Sequence, residues 1–501
     1  MVLSRRRFLR LSGLAALGAA LSACGPPPLL EQAYSRLSPL PRPLNGWLPP
    51  GDADRFPILN RLTFGPRLEE RRRAAEIGLQ NWIEEQLAPE TLDDRAADLR
   101  VRPLTTLTLS AGEIADLSDK LFDAYDRAGA PAQLRRATLL RQVYSRRQIY
   151  ELMVEFWTDH FNISVDKGDG WFLKTVDDRE VIRPHALGNF RDLLWASAHS
   201  PAMLIYLDNQ ANRAGTPNEN YARELLELHT LGVDGGYSQR DVMELARCLT
   251  GWTVKDHFWR GEFVFRANLH DGGPKRVLGL SLQPEGQAEA ERVLDRLAVH
   301  PGAARFIAHK LVRRFIADDP PPALVERAAA TFTRSKGDIR AVLRTVLLDG
   351  LEEMQPKFKR PVHFVVSALR QLNAESDGGP FLHDFLRRMG QLAFAWPTPD
   401  GYPDRAAAWQ GNLLPRWQFA LALVQSEIGG TEIDLPNLMA AGGATDATAA
   451  LDALAALLLG QPLLVPERDA LLTTLQGIGA AEDLMVAAAA ALLASPAFQW
   501  R

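Results

Sequence analysis

Four side chains of the types that hold divalent metals occur in the middle of the chain. His160 and His229 each lie near the end of a predicted helix, and His270 and Asp271 are adjacent in a polar loop. Imidazole and carboxylate groups are common metal ligands, and a bound metal lowers the pKa of its water. The sequence therefore predicts a divalent-metal site with His160, His229, His270 and Asp271 as ligands.

Glu224 and Arg223 lie on the predicted helix that ends near His229. A carboxylate beside metal-bound water can act as a general base, and a guanidinium binds anionic groups. We therefore assign Glu224 as the candidate base and Arg223 as the candidate binder of an anionic substrate. Glu224 and His229 are about 140° apart around the helix axis, so a shared site needs ligands from other helices.

Each of these residues also has a purely structural interpretation. His160 shares the apolar stripe of its helix with Trp157, which is typical of a core histidine that hydrogen-bonds a neighbour. Arg223 follows Glu219 by four residues and precedes Glu227 by four, a charge ladder that stabilises a helix without any ligand. The sequence alone leaves both interpretations open.

Residues 208–219 place oxygen-bearing side chains at several positions of a calcium-binding loop. However, Arg213 occupies the position where such a loop needs glycine. Thr216 and Glu219 also form a capping-box pattern with Pro217 at the first helical position, which explains the segment without a metal. The pattern predicts a helix over residues 217–231.

Apolar residues recur with helical spacing along most of the chain after residue 51. The predicted helices span residues 68–87, 133–161, 217–231, 240–250, 286–299, 302–317, 322–335, 339–348, 361–372, 381–389, 412–426, 446–459 and 467–493. A short strand is predicted at residues 262–266. We therefore expect a mainly α fold, with little or no sheet.

One large multi-helix domain is expected over residues 51–501. Its chemistry-bearing motifs fall within residues 148–275, and Ala/Leu-rich helices form its C-terminal part, residues 438–501. The longest apolar run there is too short to cross a bilayer.

Composition excludes several classes of protein. The chain has 501 residues, of which 46% are hydrophobic and 24% charged, and this composition excludes a disordered or fibrous chain. Lys and Arg number 57 against 61 Asp and Glu, so we expect no nucleic-acid partner. Two cysteines exclude a disulfide scaffold.

The first residues have the pattern of an export signal. Arg5 and Arg6 precede a short apolar run, which is typical of twin-arginine export, and residues 1–23 are the predicted signal peptide. Cys24 follows a lipoprotein-type box and is the predicted lipidation site, although a plain signal peptide cut after Ala23 is the alternative. Residues 24–50 are proline-rich and predict a stiff tether.

The lipid on Cys24 would anchor the protein to a membrane outside the cytoplasm, in the periplasm or at the cell surface. Gly25 rather than aspartate follows Cys24, so there is no sign of retention at the inner membrane. The outer membrane is therefore the expected location in a cell that has one.

Residues 156–161, 218–232 and 237–252 resemble a large bacterial exported family catalogued as a domain of unknown function, number eighteen hundred. The resemblance extends over roughly residues 55–500. It implies export and, because members are often encoded beside exported sulfatase-like proteins, a partner of that kind. It implies no established activity. Residues 396–403 depart from the family, which more often has Gly-Trp-Pro there, so the role of this loop stays open.

Two functions follow as hypotheses, and the sequence does not decide whether the protein is an enzyme. The first is an exported, lipid-anchored envelope protein that serves as a helical binding or assembly module. The alternative is a metal-assisted hydrolase that acts on a surface polymer or a sulfated glycan. The chain has no Gly-x-Ser-x-Gly elbow, phosphate loop or paired-histidine zinc helix, which favours the first hypothesis.

Overall fold

A computed structural model describes residues 51–121, 129–255, 261–441, 447–461, 463, 465–475 and 481–501. The predicted export arginines Arg5 and Arg6, the predicted lipidation site Cys24 and the tether over residues 24–50 lie outside the described residues.

Helices account for most of the described backbone. The first half of the chain contains α1 (Asp52–Leu62), α2 (Leu68–Ile77), α3 (Leu79–Leu87), α4 (Arg95–Val101), α5 (Ala111–Leu121), α6 (Gly129–Tyr144), α7 (Gln148–His160), α8 (Gly170–Asp177), α9 (Arg183–His185), α10 (Phe190–Ala198), α11 (Pro201–Tyr206), α12 (Asn220–Glu227) and α13 (Gln239–Cys248). A π-helical segment, Asp178–Ile182, joins α8 to α9.

The second half continues in the same way. It contains α14 (Ala288–Ala298), α15 (Pro301–Phe315), α16 (Pro322–Ser335), α17 (Ile339–Asp349), α18 (Pro361–Gln371), α19 (Pro380–Arg388), α20 (Leu414–Val424), α21 (Leu435–Ala441), α22 (Ala447–Leu459), α23 (Val465–Leu475) and α24 (Ala481–Ala494). Several short 3-10 turns connect them.

Strands are short and pair only as two-stranded antiparallel ribbons in the described part of the chain. The ribbons are β1 (Trp252–Val254) with β2 (Phe263–Phe265), β3 (Lys275–Val277) with β4 (Leu280–Leu282), and β5 (Glu375–Ser376) with β6 (Thr431–Glu432). The expected mainly α fold is confirmed, and β2 lies within the predicted strand.

Two of the long predicted helices are each two helices. Gly78, with φ +82°, separates α2 from α3, because glycine adopts this left-handed conformation without steric cost. Ser145 separates α6 from α7: its Oγ accepts the Arg147 N–H and donates to Asp94 Oδ2, at 3.0 and 2.8 Å. Such side-chain bonds compete with the helical ladder.

The capping box predicted at Thr216 does not form, and α12 begins at Asn220. The Oδ1 atom of Asn218 accepts the Asn220 N–H at 2.9 Å, and Oδ1 of the buried Asn212 accepts the Asn218 N–H at 2.8 Å. These two hydrogen bonds to asparagine side chains take the place of the predicted cap. At α13 the local pattern holds, since Ser238 and Asp241 form a reciprocal capping box.

A continuous apolar core joins the helices, from Leu59 in α1 to Phe498 near the C-terminal end. Burial of this surface is the main source of stability. Within the described residues, no helix is both long enough and apolar enough to span a bilayer.

Candidate functional site

A cavity of about 1020 Å³ lies between α7, α15, α16 and the loops at residues 231–236 and 400–405. We call it the α15 cavity. Its charged and histidine lining residues are Asp159, His160, Asp234, Arg305, His309, Lys310, Arg313, Arg314, Glu326, Arg360, Asp400, Asp404 and Arg405. Cations come mainly from α15, whereas the acidic residues come from several elements.

The sequence of α15 explains why this helix presents basic groups to the cavity. Arg305, His309 and Arg313 follow one another at intervals of four residues and so share one face. Ile307 and Leu311 lie on the opposite face and are fully buried in the core. The helix starts at Pro301, where the His300 side chain accepts the Gly302 N–H at 3.0 Å.

Arg313 and His309 lie at the inner end of this face, and Arg405 of the loop at residues 400–405 lies close enough to affect the pKa of both. Arg313 donates from Nη2 to His309 Nε2 at 3.4 Å, so this nitrogen of His309 is unprotonated. Burial, followed by the positive charge of Arg405, lowers the pKa of Arg313. Burial, Arg313 and Arg405 together lower the pKa of His309. The charges of Asp404, Asp318 and Asp319 oppose the lowering of the Arg313 pKa, and Arg313 Nε donates to the Asp318 carbonyl oxygen at 3.2 Å. None of these carboxylates forms an ion pair with Arg313 in the described part of the chain.

Two arginines of the cavity have exposed side chains, Arg305 at the outer end of the α15 face and Arg405 on the loop beside its inner end. Arg305 pairs with Glu326 of α16 at 2.8 Å, and their side chains are 66% and 58% exposed. Arg405 approaches the exposed Asp319 at 3.8 Å. Exposed ion pairs of this kind contribute little stability, because water competes for both partners. Both arginines can therefore exchange these partners for a ligand at low cost.

Lys310 and His160 form a hydrogen-bonded pair in the cavity wall. Lys310 Nζ lies 3.0 Å from His160 Nδ1, and His160 Nε2 lies 3.0 Å from the His229 carbonyl oxygen. An ammonium group can only donate, so Nδ1 accepts and the imidazole proton resides on Nε2. Burial lowers the pKa of Lys310 to about 8. Burial and the charge of Lys310 hold the pKa of His160 well below its usual value.

A buried charge network lies behind the cavity, and three of its members, Asp159, Arg314 and Arg360, also line the cavity. Glu155 accepts from Arg314 Nη2 at 2.7 Å and from His363 Nε2 at 2.9 Å, and Arg360 Nη2 binds Asp159 at 2.7 Å. Burial opposes ionisation, but Arg314, His363 and Arg360 outweigh it and hold the pKa of Glu155 below its usual range. Burial and the neighbouring charge of Glu155 raise the pKa of Asp159 despite its bond to Arg360.

Two of the predicted metal ligands, His160 and His229, are neighbours, with ring centroids 6.2 Å apart. Both nitrogens of His160 are engaged by Lys310 and the His229 backbone. His229 is 1% exposed, packs against Phe161 and Tyr221, and has no hydrogen-bond partner for either ring nitrogen within the described structure. Burial lowers its pKa to about 3. The geometry agrees with the alternative interpretation of His160 as a hydrogen-bonded core histidine.

The other two predicted ligands belong to a separate network. The ring nitrogens of His270 face the Thr250 carbonyl oxygen at 2.8 Å and Glu289 Oε1 at 3.2 Å. Asp271 forms a bidentate pair with Arg247, with both distances 2.9 Å, and this pairing lowers its pKa to about 2. These bonds attach the loop to α13 and α14.

Arg223 and Glu224 do not line the α15 cavity. Arg223 Nη2 binds Glu219 Oε2 at 2.9 Å, the first step of the charge ladder, and Gln239 Oε1 at 3.0 Å. Glu224 is half-buried, and burial together with the charge of Glu227 raises its pKa. Neither residue contacts His270 or Asp271 through a hydrogen bond or ion pair in the described structure.

The structure thus does not bring the six predicted residues into one site, and of the six only His160 lines the cavity. Over the described ranges, no three His, Cys, Asp or Glu side chains are grouped as metal ligands. The sequence reasoning missed Arg305, His309, Arg313 and Arg405. The four-residue spacing of the first three on a predicted helix was a signal that could have found them.

The fold and this cavity define a mainly α-helical protein with a large cavity that both basic and acidic side chains line. The chain belongs to the family described as "Protein of unknown function (DUF1800)", which matches residues 57–500. This match confirms the resemblance seen in the sequence. No curated protein and no solved structure matches the chain.

Proposed function

We propose that this protein is an exported, lipid-anchored binding module whose α15 cavity takes an anionic ligand. The observation that carries the proposal is the convergence of Arg313, His309 and Arg405 on one cavity, with no carboxylate paired to Arg313 among the described residues. Like charges held together in a partly buried site repel one another, and a bound anion relieves that repulsion.

The chemistry of the cavity fits carboxylate, sulfate or phosphate groups. The guanidinium of arginine presents paired N–H donors that match two oxygens of such a group. A volume of about 1020 Å³ accommodates a ligand much larger than a single ion. The anion is therefore best regarded as one group of a larger molecule.

Export and anchoring complete the proposal. Arg5 and Arg6 would direct twin-arginine export, and Cys24 would carry the lipid. The proline-rich residues 25–50 would then connect the lipid to the helical domain. An exported sulfatase-like protein, the partner implied by the family resemblance, acts on anionic groups of the kind proposed here as ligands.

Removing the inner arginine should weaken anion binding. We expect Arg313→Ala to bind galacturonate and sulfate about 10- to 100-fold more weakly, because one charge-assisted hydrogen-bonding group is lost. Isothermal titration calorimetry measures the affinity, and Arg405→Ala should weaken it in the same direction. Arg340→Ala is the control, since Arg340 pairs with Glu90 outside the cavity. Unchanged affinity in both cavity variants, with their folds retained, contradicts the proposal.

The proposed lipid anchor at Cys24 can be tested separately from ligand binding. Cys24→Ser, expressed with the signal peptide intact, should move the protein from the membrane fraction to the soluble envelope fraction, because the acyl chains supply the membrane affinity. Cell fractionation and mass spectrometry of the mature N-terminus measure this. Cys248→Ser serves as the control because Cys248 is fully buried. Membrane retention of the Cys24→Ser protein would show that lipidation at this residue is not the anchor.

A further inference from the structure

We infer that the ligand of the α15 cavity is a linear acidic polysaccharide that lies along α15 and presents successive anionic groups to it. The inference rests on the proposed function, in which the inner arginines bind an anion. It adds a second contact point at the mouth of the cavity, Arg305, and it identifies the chemical class of the ligand.

The spacing of the basic residues on α15 points to an extended ligand. Arg305 precedes Arg313 by eight residues, which corresponds to about 12 Å along the helix axis, with His309 halfway between them. A single carboxylate or sulfate group is much smaller than this separation and can reach only the inner end. A chain with repeated anionic groups can contact the inner end and the mouth simultaneously.

The outer arginine is available for such a contact. Its present partner, Glu326, lies on the same cavity wall and is largely exposed, so the pair is easily opened. Two contacts made by one chain reinforce each other, because the second forms at the high effective concentration set by the first.

The acidic residues of the cavity favour a polysaccharide over a nucleic acid. Asp234, Glu326 and Asp400 line the same cavity as the cations. Each unit of an acidic polysaccharide keeps free hydroxyls that can donate hydrogen bonds to these carboxylates, whereas the sugar–phosphate backbone of DNA carries its charge without any free hydroxyl to donate. Asp400 is exposed, and the two hydrogen bonds that it accepts, from Trp396 Nε1 and Thr398 Oγ1, both go to Oδ1.

The aromatic residues of the cavity support the same choice. Single-stranded nucleic acids bind proteins through bases stacked on exposed aromatic rings. Of the rings that line the cavity in the described structure, Phe156 and Tyr402 are buried, 5% and 9% exposed, and Phe306 is half-buried. The cavity therefore lacks a series of stacking platforms, and its charges and hydrogen-bonding groups dominate recognition.

The experiment compares oligogalacturonates from monomer to hexamer by isothermal titration calorimetry on the mature protein. The hexamer should bind at least about tenfold more tightly than the monomer, because it reaches both ends of the basic face. Arg305→Ala should reduce the ratio of hexamer to monomer affinity to near one. Glu326→Gln should raise hexamer affinity by freeing Arg305. Arg327→Ala is the matched control, since Arg327 is an ion-paired, exposed arginine of α16 that does not line the cavity.

Four outcomes overturn the inference. Equal affinity for monomer and hexamer, both lost in Arg313→Ala, excludes an extended ligand but leaves the proposed anion binding intact. Tighter binding of a thymidine oligonucleotide than of hexagalacturonate at the same salt concentration excludes the polysaccharide class. If neutral maltohexaose binds as tightly as hexagalacturonate, the anionic groups have no role in recognition. If no anion binds at all, the proposed function is excluded together with the inference.

Discussion

Glu155→Gln is expected to lower the free energy of unfolding by about 3–5 kcal/mol, the usual effect of removing one member of a buried charge pair. The Glu155 side chain is 9% exposed and binds Arg314 and His363, with Arg360 at 3.5 Å. A neutral amide leaves both guanidinium groups with less compensating charge in a site that water reaches poorly. Urea denaturation followed by circular dichroism measures the loss.

Glu180→Gln is the control for this substitution. Glu180 also pairs with an arginine, but its side chain is 61% exposed, so the change should stay within about 0.5 kcal/mol. A loss below about 1 kcal/mol in Glu155→Gln would show that the stability of the fold does not depend on this carboxylate.

The same pair of proteins gives a pH dependence with a defined sign. Because the folded state lowers the pKa of Glu155 below its usual value of 4.5, its charge contributes stability above that pH. The contribution is lost as the pH falls through the folded-state pKa. The stability difference between wild type and Glu155→Gln should therefore be constant near neutral pH and shrink in acid.

Gly401→Ala is expected to lower stability by about 2–4 kcal/mol, from left-handed backbone strain together with overpacking. Gly401 has φ +73°, and a Cβ atom there would overlap the carbonyl group of Asp159 in the last turn of α7. The loop at residues 400–405 would have to move away from α7. Arg405 would move with it, so affinity for galacturonate should fall about tenfold or more.

Gly411→Ala is the matched control, because a Cβ atom there meets no other atom within 4 Å and the residue has no positive φ. Thermal unfolding and calorimetric titration of the two variants separate the effects. If Gly401→Ala keeps wild-type stability and affinity, the loop can move away from α7 without cost. The close approach of Gly401 to Asp159 would then not be what positions Arg405.

Much of the fold was predictable because its signals are local. The predicted helix at residues 322–335 matches α16 at both ends, where Pro322 occupies the first turn. The Ser238 and Asp241 capping box at the start of α13 is a signal of the same local kind. The helix end at Ser145 was missed because the Ser145 side chain bonds Asp94, which is distant in the sequence. The start of α12 at Asn220 was missed although the bond that replaces the predicted cap, from the Asn218 N–H to Asn212 Oδ1, is local.

The candidate site was less predictable. The apolar stripe correctly places His160 on a buried helix face, but the partner of its Nδ1 atom, Lys310, lies 150 residues later in the chain. Residues 396–403, whose role the sequence left open, form part of the cavity wall. Asn162 attaches this loop by donating to the Trp396 and Thr398 carbonyl oxygens, at 3.0 and 2.7 Å.

The sequence by itself therefore determined the helical class and the family, because helical periodicity depends only on residues a few positions apart. The four-residue spacing of the basic face of α15 is equally local, but its role was not recognised from the sequence. The tertiary structure decided which charges share a cavity. Arg405 meets Arg313 and His309 because Gly401 allows its loop to pack directly on the end of α7. The predicted ligands His160 and His270 belong to separate networks because their hydrogen-bond partners lie on different helices. His160 is hydrogen-bonded to Lys310 of α15, and His270 to Glu289 of α14.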